Sequence, residues 1–156
     1  MLIYHSSYTS VEMPDISYSR EFLDFGKGFY LTTLYDQAVK YAQRFKRRKR
    51  TAWLSTYELE FNPDDWNILQ FDSYNHDWLR FVTNCRRGLD NSDYDLIIGG
   101  IANDQVIQTI ERYFAGEISV DDALGLLKYE KPNNQYCIRS QRMLDECLKH
   151  KNCVEI

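Results

Sequence analysis

The residues best suited to bind a ligand lie between Asp24 and Tyr41, in the stretch DFGKGFYLTTLYDQAVKY. Gly26 and Gly28 stand between two phenylalanines, and glycine permits a positive φ angle or a close approach of the backbone to a ligand. The aromatic residues that follow predict a short strand, and the apolar spacing after them predicts a helix. We interpret the stretch as a nucleotide-binding turn, although a glycine pair before a strand also occurs as a simple turn.

The glycine pair does not match the two commonest phosphate-binding motifs. A Walker loop requires Gly-Lys-Ser/Thr at a fixed distance from its first glycine, and no such sequence follows here. A Rossmann fingerprint places its glycines before a helix, whereas Gly26 and Gly28 precede the predicted strand. A nucleotide bound at this turn would therefore be held in another way.

Three short motifs, taken in order, resemble the catalytic core of the poly(ADP-ribose) polymerases. FGKGFY at positions 25–30, followed by eleven residues to Tyr41, resembles a signature in which FGKGIY leads to a second tyrosine at that distance. YHSS at positions 4–7 resembles the His-Gly-Ser motif of that family's first core strand, and NQY at positions 134–136 resembles its Asn-Glu-Tyr motif. The whole chain is also similar to a bacterial family of uncharacterised domains placed in the ADP-ribosyltransferase superfamily, often found beside small antitoxin-like genes.

This resemblance implies an enzyme that uses NAD as a co-substrate and transfers ADP-ribose to a macromolecular acceptor. Cleavage of the nicotinamide–ribose bond passes through an oxocarbenium-like cation, so the enzyme must hold the nicotinamide, desolvate it and place a hydrogen-bond acceptor at the ribose. The resemblance also implies a bacterial toxin of a toxin–antitoxin or defence system. Its partners would be an antitoxin protein and an unidentified protein or nucleic-acid acceptor.

The resemblance assigns catalytic roles to Gln135, His5 and Tyr30. His5 would contact the ribose 2′-hydroxyl, although a histidine on a strand is also often satisfied by a neighbouring carbonyl. The backbone of Ser6 would hold the nicotinamide carboxamide. Tyr30 and Tyr41 would stack against the nicotinamide and supply an apolar pocket.

Two positions depart from the family pattern. Gln135 stands where the family carries glutamate; glutamine can accept a hydrogen bond but has no charge and is no base. Ala38 stands where related polymerases carry a serine that binds the carboxamide, so we expect Gln37 to compensate, with Gly28 completing the predicted NAD-binding residues. The missing acid makes chain elongation unexpected and favours mono-ADP-ribosyl transfer. It also leaves two alternatives: an NAD glycohydrolase, and a catalytically inactive ADP-ribosyltransferase-like module that binds NAD, RNA or a protein.

The expected fold is a single α+β domain over residues 1–156. The resemblance implies a split pair of mostly antiparallel sheets around an NAD cleft, flanked by helices. Apolar periodicity and turn residues predict strands at Leu2–His5, Phe29–Thr32, Thr51–Phe61, Ile68–Phe71, Asp93–Gly100, Gln135–Arg139 and Cys153–Ile156. Cap residues predict helices that begin after Thr33, Ser73, Asn103, Ser119 and Ser140.

The composition is that of an ordinary globular protein, with 156 residues of which 44% are hydrophobic and 27% charged. No apolar run approaches the ~20 residues of a membrane helix, and the first ten residues show neither the basic segment nor the apolar core of an export signal. The four cysteines form no Cys-x-x-Cys pair, and no histidine stands at metal-binding spacing. We expect a cytoplasmic protein with free thiols, no membrane contact and no metal site.

A strongly basic run follows the predicted nucleotide-binding stretch. Arg44 and Lys46–Arg50 place six cations within seven positions, and subtracting them from the net charge of −4 leaves −10 on the rest of the chain. Such asymmetry is typical of a surface that binds RNA, DNA or an acidic partner such as an antitoxin. Basic residues also occur at helix C-termini, where they meet the negative end of the helix dipole. The sequence leaves both explanations open.

Overall fold

The computed structural model describes residues 1–101, 104–128, 130 and 135–156. Within them the fold is α+β, with seven strands and five α-helices. The strands are β1 (Leu2–Ser7), β2 (Phe29–Thr32), β3 (Trp53–Leu59), β4 (Ile68–Gln70), β5 (Leu96–Gly99), β6 (Gln135–Ile138) and β7 (Leu148–Glu155). The helices are α1 (Tyr35–Arg47), α2 (His76–Arg86), α3 (Asp104–Phe114), α4 (Val120–Leu127) and α5 (Gln141–Cys147).

The seven strands form one sheet, in the order β4-β5-β6-β2-β1-β3-β7. All neighbouring pairs are antiparallel except β4 and β5. The prediction of two separate sheets is therefore wrong, because Tyr4 of β1 pairs with Thr32 of β2 and joins the two halves. That junction is narrow: β1 shares this single paired position with β2 but six positions with β3. The pairing between β1 and β2 is therefore the shortest in the sheet.

Side chains on the two faces of the sheet build two separate apolar cores. One core packs Trp78 of α2 and Ile110 of α3 against Ile97 and Cys137 of the sheet. The other core, on the opposite face, packs Leu144 and its neighbours in α5 against strand residues such as Ile3 and Leu31. Helix α1 lies against β1 and β3. Burial of both apolar faces is the main force that holds a sheet of this kind together.

Local capping chemistry was predicted correctly for some helices and wrongly for others. Ser119 and Ser140 cap α4 and α5 as expected. The predicted cap Thr33 is wrong: α1 begins after Leu34, whose N–H donates to the hydroxyl of Thr32 at 3.1 Å. Ser73 is likewise not the cap of α2, because Asn75 accepts a hydrogen bond from the N–H of Trp78 at 2.9 Å. The predicted cap Asn103 lies outside the described residues.

The last strand is much longer than the predicted segment Cys153–Ile156. β7 begins at Leu148, directly after α5, and pairs with every residue of β3. The register shifts between Thr56 and Tyr57, which marks a β-bulge in this pairing. One face and one edge of β7 are exposed, so its sequence is polar and its apolar alternation is weak. The full length of the strand was not predicted for this reason.

None of the helices in the described part of the chain has the length and the apolar run that a membrane span requires. Among the same residues, no group of three or more histidine, cysteine, aspartate or glutamate side chains is arranged to hold a metal ion. All four cysteines are free thiols.

Candidate functional site

The glycine turn before β2 is held together by the side chain of Tyr30. Its hydroxyl donates to the carbonyl of Gly26 at 2.6 Å and accepts from the N–H of Phe25 at 3.1 Å. Gly26 has a φ of 76°, in the left-handed region that glycine adopts without strain. Burial raises the pKa of Tyr30 far above its usual value, so the hydroxyl stays protonated. The predicted stacking residue thus has a structural role of its own in the turn.

Gly28 is needed because the turn passes very close to β6. A Cβ atom at this position would lie 2.5 Å from the Sγ of Cys137 and 3.0 Å from the carbonyl oxygen of Ile138. Its N–H donates to the hydroxyl of Ser19 at 3.0 Å. The backbone at Gly28 therefore approaches β6 closely, and its predicted contact with NAD stays a prediction.

His5 lies one position after Tyr4, where the pairing between β1 and β2 ends. Its Nδ1 lies 2.8 Å from the carbonyl oxygen of Tyr30, and its ring lies 4.2 Å from that of Phe29. A carbonyl can only accept a hydrogen bond, so Nδ1 carries the proton and Nε2 of the neutral ring is left as an acceptor. Desolvation lowers the pKa of His5, against a smaller opposing effect of the hydrogen bond. The neighbouring-carbonyl explanation for this histidine is confirmed, and Nε2 remains available to a hydroxyl donor.

We expect acid to destabilise the protein through His5. The folded pKa lies below the unfolded value of about 6.5, so the unfolded chain binds more protons as the pH falls. The stability that neutral His5 contributes to the fold is therefore complete above the unfolded pKa. It is lost as the pH falls toward the folded pKa. Urea unfolding at a series of pH values should show a larger decrease in unfolding free energy for the wild type than for His5→Gln.

The exposed His76, at the start of α2, supplies the matched control. A His76→Gln variant should keep the acid dependence of the wild type. Equal pH profiles for the wild type and His5→Gln would show that the imidazole of His5 is not desolvated in the folded state.

Gln135 is held in a defined orientation by α1 and β2. Its Nε2 donates to Oε1 of Gln37 at 3.0 Å, and the hydroxyl of Thr32 donates to the same oxygen at 2.5 Å. Because Oε1 of Gln37 accepts both bonds, the amide nitrogen of Gln135 is fixed toward it. The Oε1 atom of Gln135 accepts no bond from the described residues and forms the free end of a side chain that is 7% exposed.

Ser6 connects β1 to α1. Its hydroxyl donates to the carbonyl of Ala38 at 2.6 Å, so the side chain is engaged with the helix. Its backbone lies two positions beyond Tyr4, where the pairing between β1 and β2 has ended. At Ser6, the edge of β1 that faces β2 is therefore no longer paired with β2.

The pairing register separates the predicted residues into two groups. Gln135 pairs with Thr32, which in turn pairs with Tyr4, and directly paired residues of antiparallel strands share one face. Side chains alternate along a strand, so Ser6 shares that face with Gln135, whereas His5 lies on the other. The structure thus gathers Ser6, Gln37 and Gln135 around α1 and places the imidazole of His5 on the far side of the sheet.

Tyr41 lies on α1 one turn after Gln37 and is 39% exposed. The guanidinium of Arg44 stands 4.8 Å from the centre of its ring. Tyr41 and Tyr30 do not contact each other in the described structure: Tyr30 packs beside Phe25 in the glycine turn. Of the two predicted nicotinamide walls, Tyr41 is the one with an accessible ring.

Two features of the sheet were not predicted from the sequence. The first is Thr32, whose only signal is a hydroxyl residue in an otherwise aromatic and apolar strand. The second is a cluster on β3 and β7, in which Sγ of Cys153 lies 2.9 Å from the hydroxyl of Ser55 and 3.3 Å from Nε2 of His150. The β-bulge puts His150 and Cys153 on one face, which regular alternation would forbid.

Two cavities, of about 430 and 420 Å³, lie elsewhere on the described surface. The first lies between β4 and α2 and is lined by Phe71, Phe81, Tyr94 and several polar side chains. The second lies along α3. Neither cavity is lined by a predicted site residue, so the candidate site is defined by hydrogen-bonding groups and not by these concave surfaces.

Comparison with known proteins gives a family and no relative of known activity. No curated protein and no solved structure matches the chain. Residues 1–150 match the family described as "Protein of unknown function (DUF3990)". Because that match covers nearly the whole chain, the protein belongs to this family.

Proposed function

We propose that the chain is an NAD-dependent mono-ADP-ribosyltransferase, with an ADP-ribosyltransferase-like fold whose site lies where β1 and β2 separate. The observation that carries this proposal is the oriented amide of Gln135, whose nitrogen is held by Gln37 at 3.0 Å. Its Oε1 is a fixed acceptor on a nearly buried side chain. Such an acceptor can orient a ribose hydroxyl and stabilise an oxocarbenium-like transition state.

Ser6 supplies a second contact on the face of Gln135, and His5 supplies one from the opposite face of the sheet. Nε2 of His5 can accept from a ribose hydroxyl because Nδ1 is engaged with the carbonyl of Tyr30. The backbone of Ser6 lies at the edge of β1 that has left the ladder with β2. A carboxamide has one donor group and one acceptor atom in the arrangement of a peptide, so it can pair with such an edge.

The biological part of the proposal is a toxin of a toxin–antitoxin or defence system that acts in the cytoplasm. It rests on the sequence resemblance and on the four free thiols, which suit a reducing compartment. The acceptor would be a protein or a nucleic acid, and an antitoxin would be a further partner.

An inactive NAD-binding module is the second candidate. The observations that favour it are the opposite faces occupied by His5 and Gln135, and the engagement of the Tyr30 hydroxyl with Phe25 and Gly26. β1 and β2 would have to move apart for one ligand to contact both His5 and Gln135. If they do not, the chain can bind part of NAD without cleaving it.

The decisive experiment measures nicotinamide release from NAD by the purified protein, alone and with cell lysate, beside calorimetric titration with NAD. We expect release to require lysate and to label a macromolecule. Tyr41→Ala should raise the KM for NAD about tenfold, because a stacking contact contributes ~1–3 kcal/mol. Tyr18→Ala is the matched control, since Tyr18 is 88% exposed and lies in a separate short 3-10 helix.

Each alternative has its own outcome. Release without any acceptor would identify an NAD glycohydrolase. Binding of NAD without release would identify the inactive module. Absence of NAD binding would overturn the proposal and its second candidate together.

A further inference from the structure

The end of α1 carries more positive charge than the helix itself explains. Arg44, Lys46 and Arg47 lie in the last turn, where cations meet the negative end of the helix dipole. Arg48–Arg50 lie beyond that turn, so the dipole does not account for them. All six cations are exposed, and none of them forms an ion pair with an acidic group of the described residues.

The chain reverses after α1 and brings the last residue of the basic run over an aromatic ring. Lys49 has a φ of 58°, and the N–H of Arg50 donates to the carbonyl of Phe45 at 2.9 Å, which closes the helix end. This reversal brings the guanidinium of Arg50 to 4.8 Å from the ring centre of Tyr8. Arg50 is thereby positioned above the residue that follows β1.

Three aromatic rings form a row beneath Arg44 and Arg50. Phe45 contacts Tyr8 on one side and Tyr41 on the other, with ring centres 6.1 and 5.9 Å apart. A guanidinium caps each end of the row: Arg50 lies over Tyr8 and Arg44 over Tyr41. Tyr8 and Tyr41 are 53% and 39% exposed, so an aromatic ring remains accessible at each end of the row.

We propose that this basic surface, made of Tyr8, Tyr41, Arg44 and Lys46–Arg50, binds single-stranded nucleic acid. Unpaired bases stack on tyrosine rings and on guanidinium planes, while flanking cations neutralise phosphates. An acidic protein would need the cations alone and would have no use for the aromatic row. A duplex keeps its bases stacked and offers phosphates without free base faces.

Charge on the rest of the molecule favours binding at this surface. Outside the six cations the chain carries a net charge of −10, which disfavours binding of a polyanion to the remainder as a whole. Tyr8 follows β1 directly, and Tyr41 is a predicted wall of the NAD site. The surface goes beyond the proposed transferase activity and does not depend on it; where that activity holds, the bound strand lies beside the transferred group.

The test uses fluorescence anisotropy with a labelled oligonucleotide of ~12 nucleotides, within the usual footprint of single-strand binders. The variant Lys46→Ala/Arg47→Ala/Arg48→Ala removes three exposed cations from the surface. The control Arg80→Ala/Arg112→Ala/Lys149→Ala removes three exposed cations elsewhere, with the same change in net charge. Circular dichroism and thermal unfolding establish that both triple variants are folded.

We expect the wild type to bind with an affinity that falls as salt rises. Each phosphate contact contributes about 0.7 to the slope of log affinity against log salt, so the surface variant should lose about 2 from that slope. Its affinity should fall at least about tenfold, while the control triple keeps the wild-type slope. Tyr8→Ala should weaken binding by about tenfold without changing the slope.

Four results would overturn the proposal. They are an absence of salt-dependent binding, equal losses in the two triple variants, binding of a duplex as tight as that of the single strand, and displacement of the oligonucleotide by an equal charge concentration of polyglutamate. The last result would assign the surface to an acidic protein. Because no NAD is present, a failure of the proposed transferase activity leaves these measurements unaffected.

Discussion

Replacing Gln135 with alanine is expected to lower the rate of nicotinamide release by about 10²–10³-fold, the usual cost of removing one preorganised hydrogen-bonding group from an active site. The wild-type amide is fixed by Gln37, so its Oε1 needs no reorganisation when positive charge develops on the ribose. Alanine removes this acceptor and the contact with Gln37. The loss should appear mainly in kcat, because the interaction strengthens in the transition state.

The matched control for this prediction is Gln108→Ala. Gln108 is an exposed residue of α3, and none of the predicted site residues lies on that helix, so the same truncation should leave kcat and KM unchanged. Calorimetric titration with NAD distinguishes a variant that no longer binds NAD from one that binds NAD but no longer cleaves it. If Gln135→Ala keeps the wild-type kcat, the amide is not part of the reacting site and the proposed mechanism fails.

A glutamate at position 135 provides the complementary test. Its carboxylate would face Oε1 of Gln37, so the Gln37 amide must rotate and donate its Nε2 to the new acid. The hydroxyl of Thr32 can accommodate the rotation, since a hydroxyl both donates and accepts. We expect Gln135→Glu to raise the rate of nicotinamide release about tenfold or more, because a carboxylate stabilises a cation and can serve as a base.

Gln37 is expected to act as a positioning residue in this arrangement. It holds Gln135 from one side and Thr32 from the other, so it links α1, β2 and β6 at a single oxygen atom. This link explains why a glutamine at position 135 can be a defined acceptor: without it the amide would be free to turn its nitrogen toward the ligand.

Features set by neighbouring residues could be predicted from the sequence. The alternation of Ser55, Tyr57 and Leu59 identifies β3, and all three side chains are buried. Ser119 and Ser140 were recognised as caps because a serine before an amphipathic helix has a hydroxyl that can accept from the first free N–H groups. Each of these signals is contained in a few consecutive residues of the sequence.

Features that depend on distant residues could not be predicted. The contact between Gln37 and Gln135 joins positions 98 residues apart and requires the pairing of β2 with β6. His150 and Cys153 lie close together on one face because a bulge shifts the register of β7 against β3. In the same way, whether Ser73 or Asn75 caps α2 depends on which side chain reaches the helix, and both residue types are suitable.

The glycine turn has a structural role in addition to its predicted one. The resemblance assigns Gly28 and Tyr30 to NAD binding, and that role stays a prediction. The structure adds a second requirement: Tyr30 bonds to the turn through its hydroxyl, and Gly28 lets the turn pass β6. A substitution in this turn therefore changes stability as well as any activity, so stability has to be measured first.

Gly28→Ala is expected to destabilise the protein by about 1–3 kcal/mol, the usual cost of overpacking a close-packed interior. The new Cβ would lie 2.5 Å from Sγ of Cys137 and 3.0 Å from the carbonyl oxygen of Ile138, and β6 cannot move away without breaking its pairing with β2 and β5. Burial raises the pKa of Cys137 to about 12, so the neighbouring group is a neutral thiol at every pH suitable for the measurement. Urea unfolding gives the change in free energy directly.

The chain offers both a matched control and a rescue for Gly28→Ala. Gly125 lies inside α4 with nothing within 4 Å of an added Cβ, so Gly125→Ala should stabilise the helix by up to ~1 kcal/mol. Removing the sulfur in Gly28→Ala/Cys137→Ala should recover part of the loss, because the worst contact is gone. The double variant should therefore be more stable than the sum of the two single changes predicts. Strict additivity would mean that the thiol of Cys137 is not what limits residue 28, and that the restriction comes from the carbonyl of Ile138 or from the backbone of the turn itself.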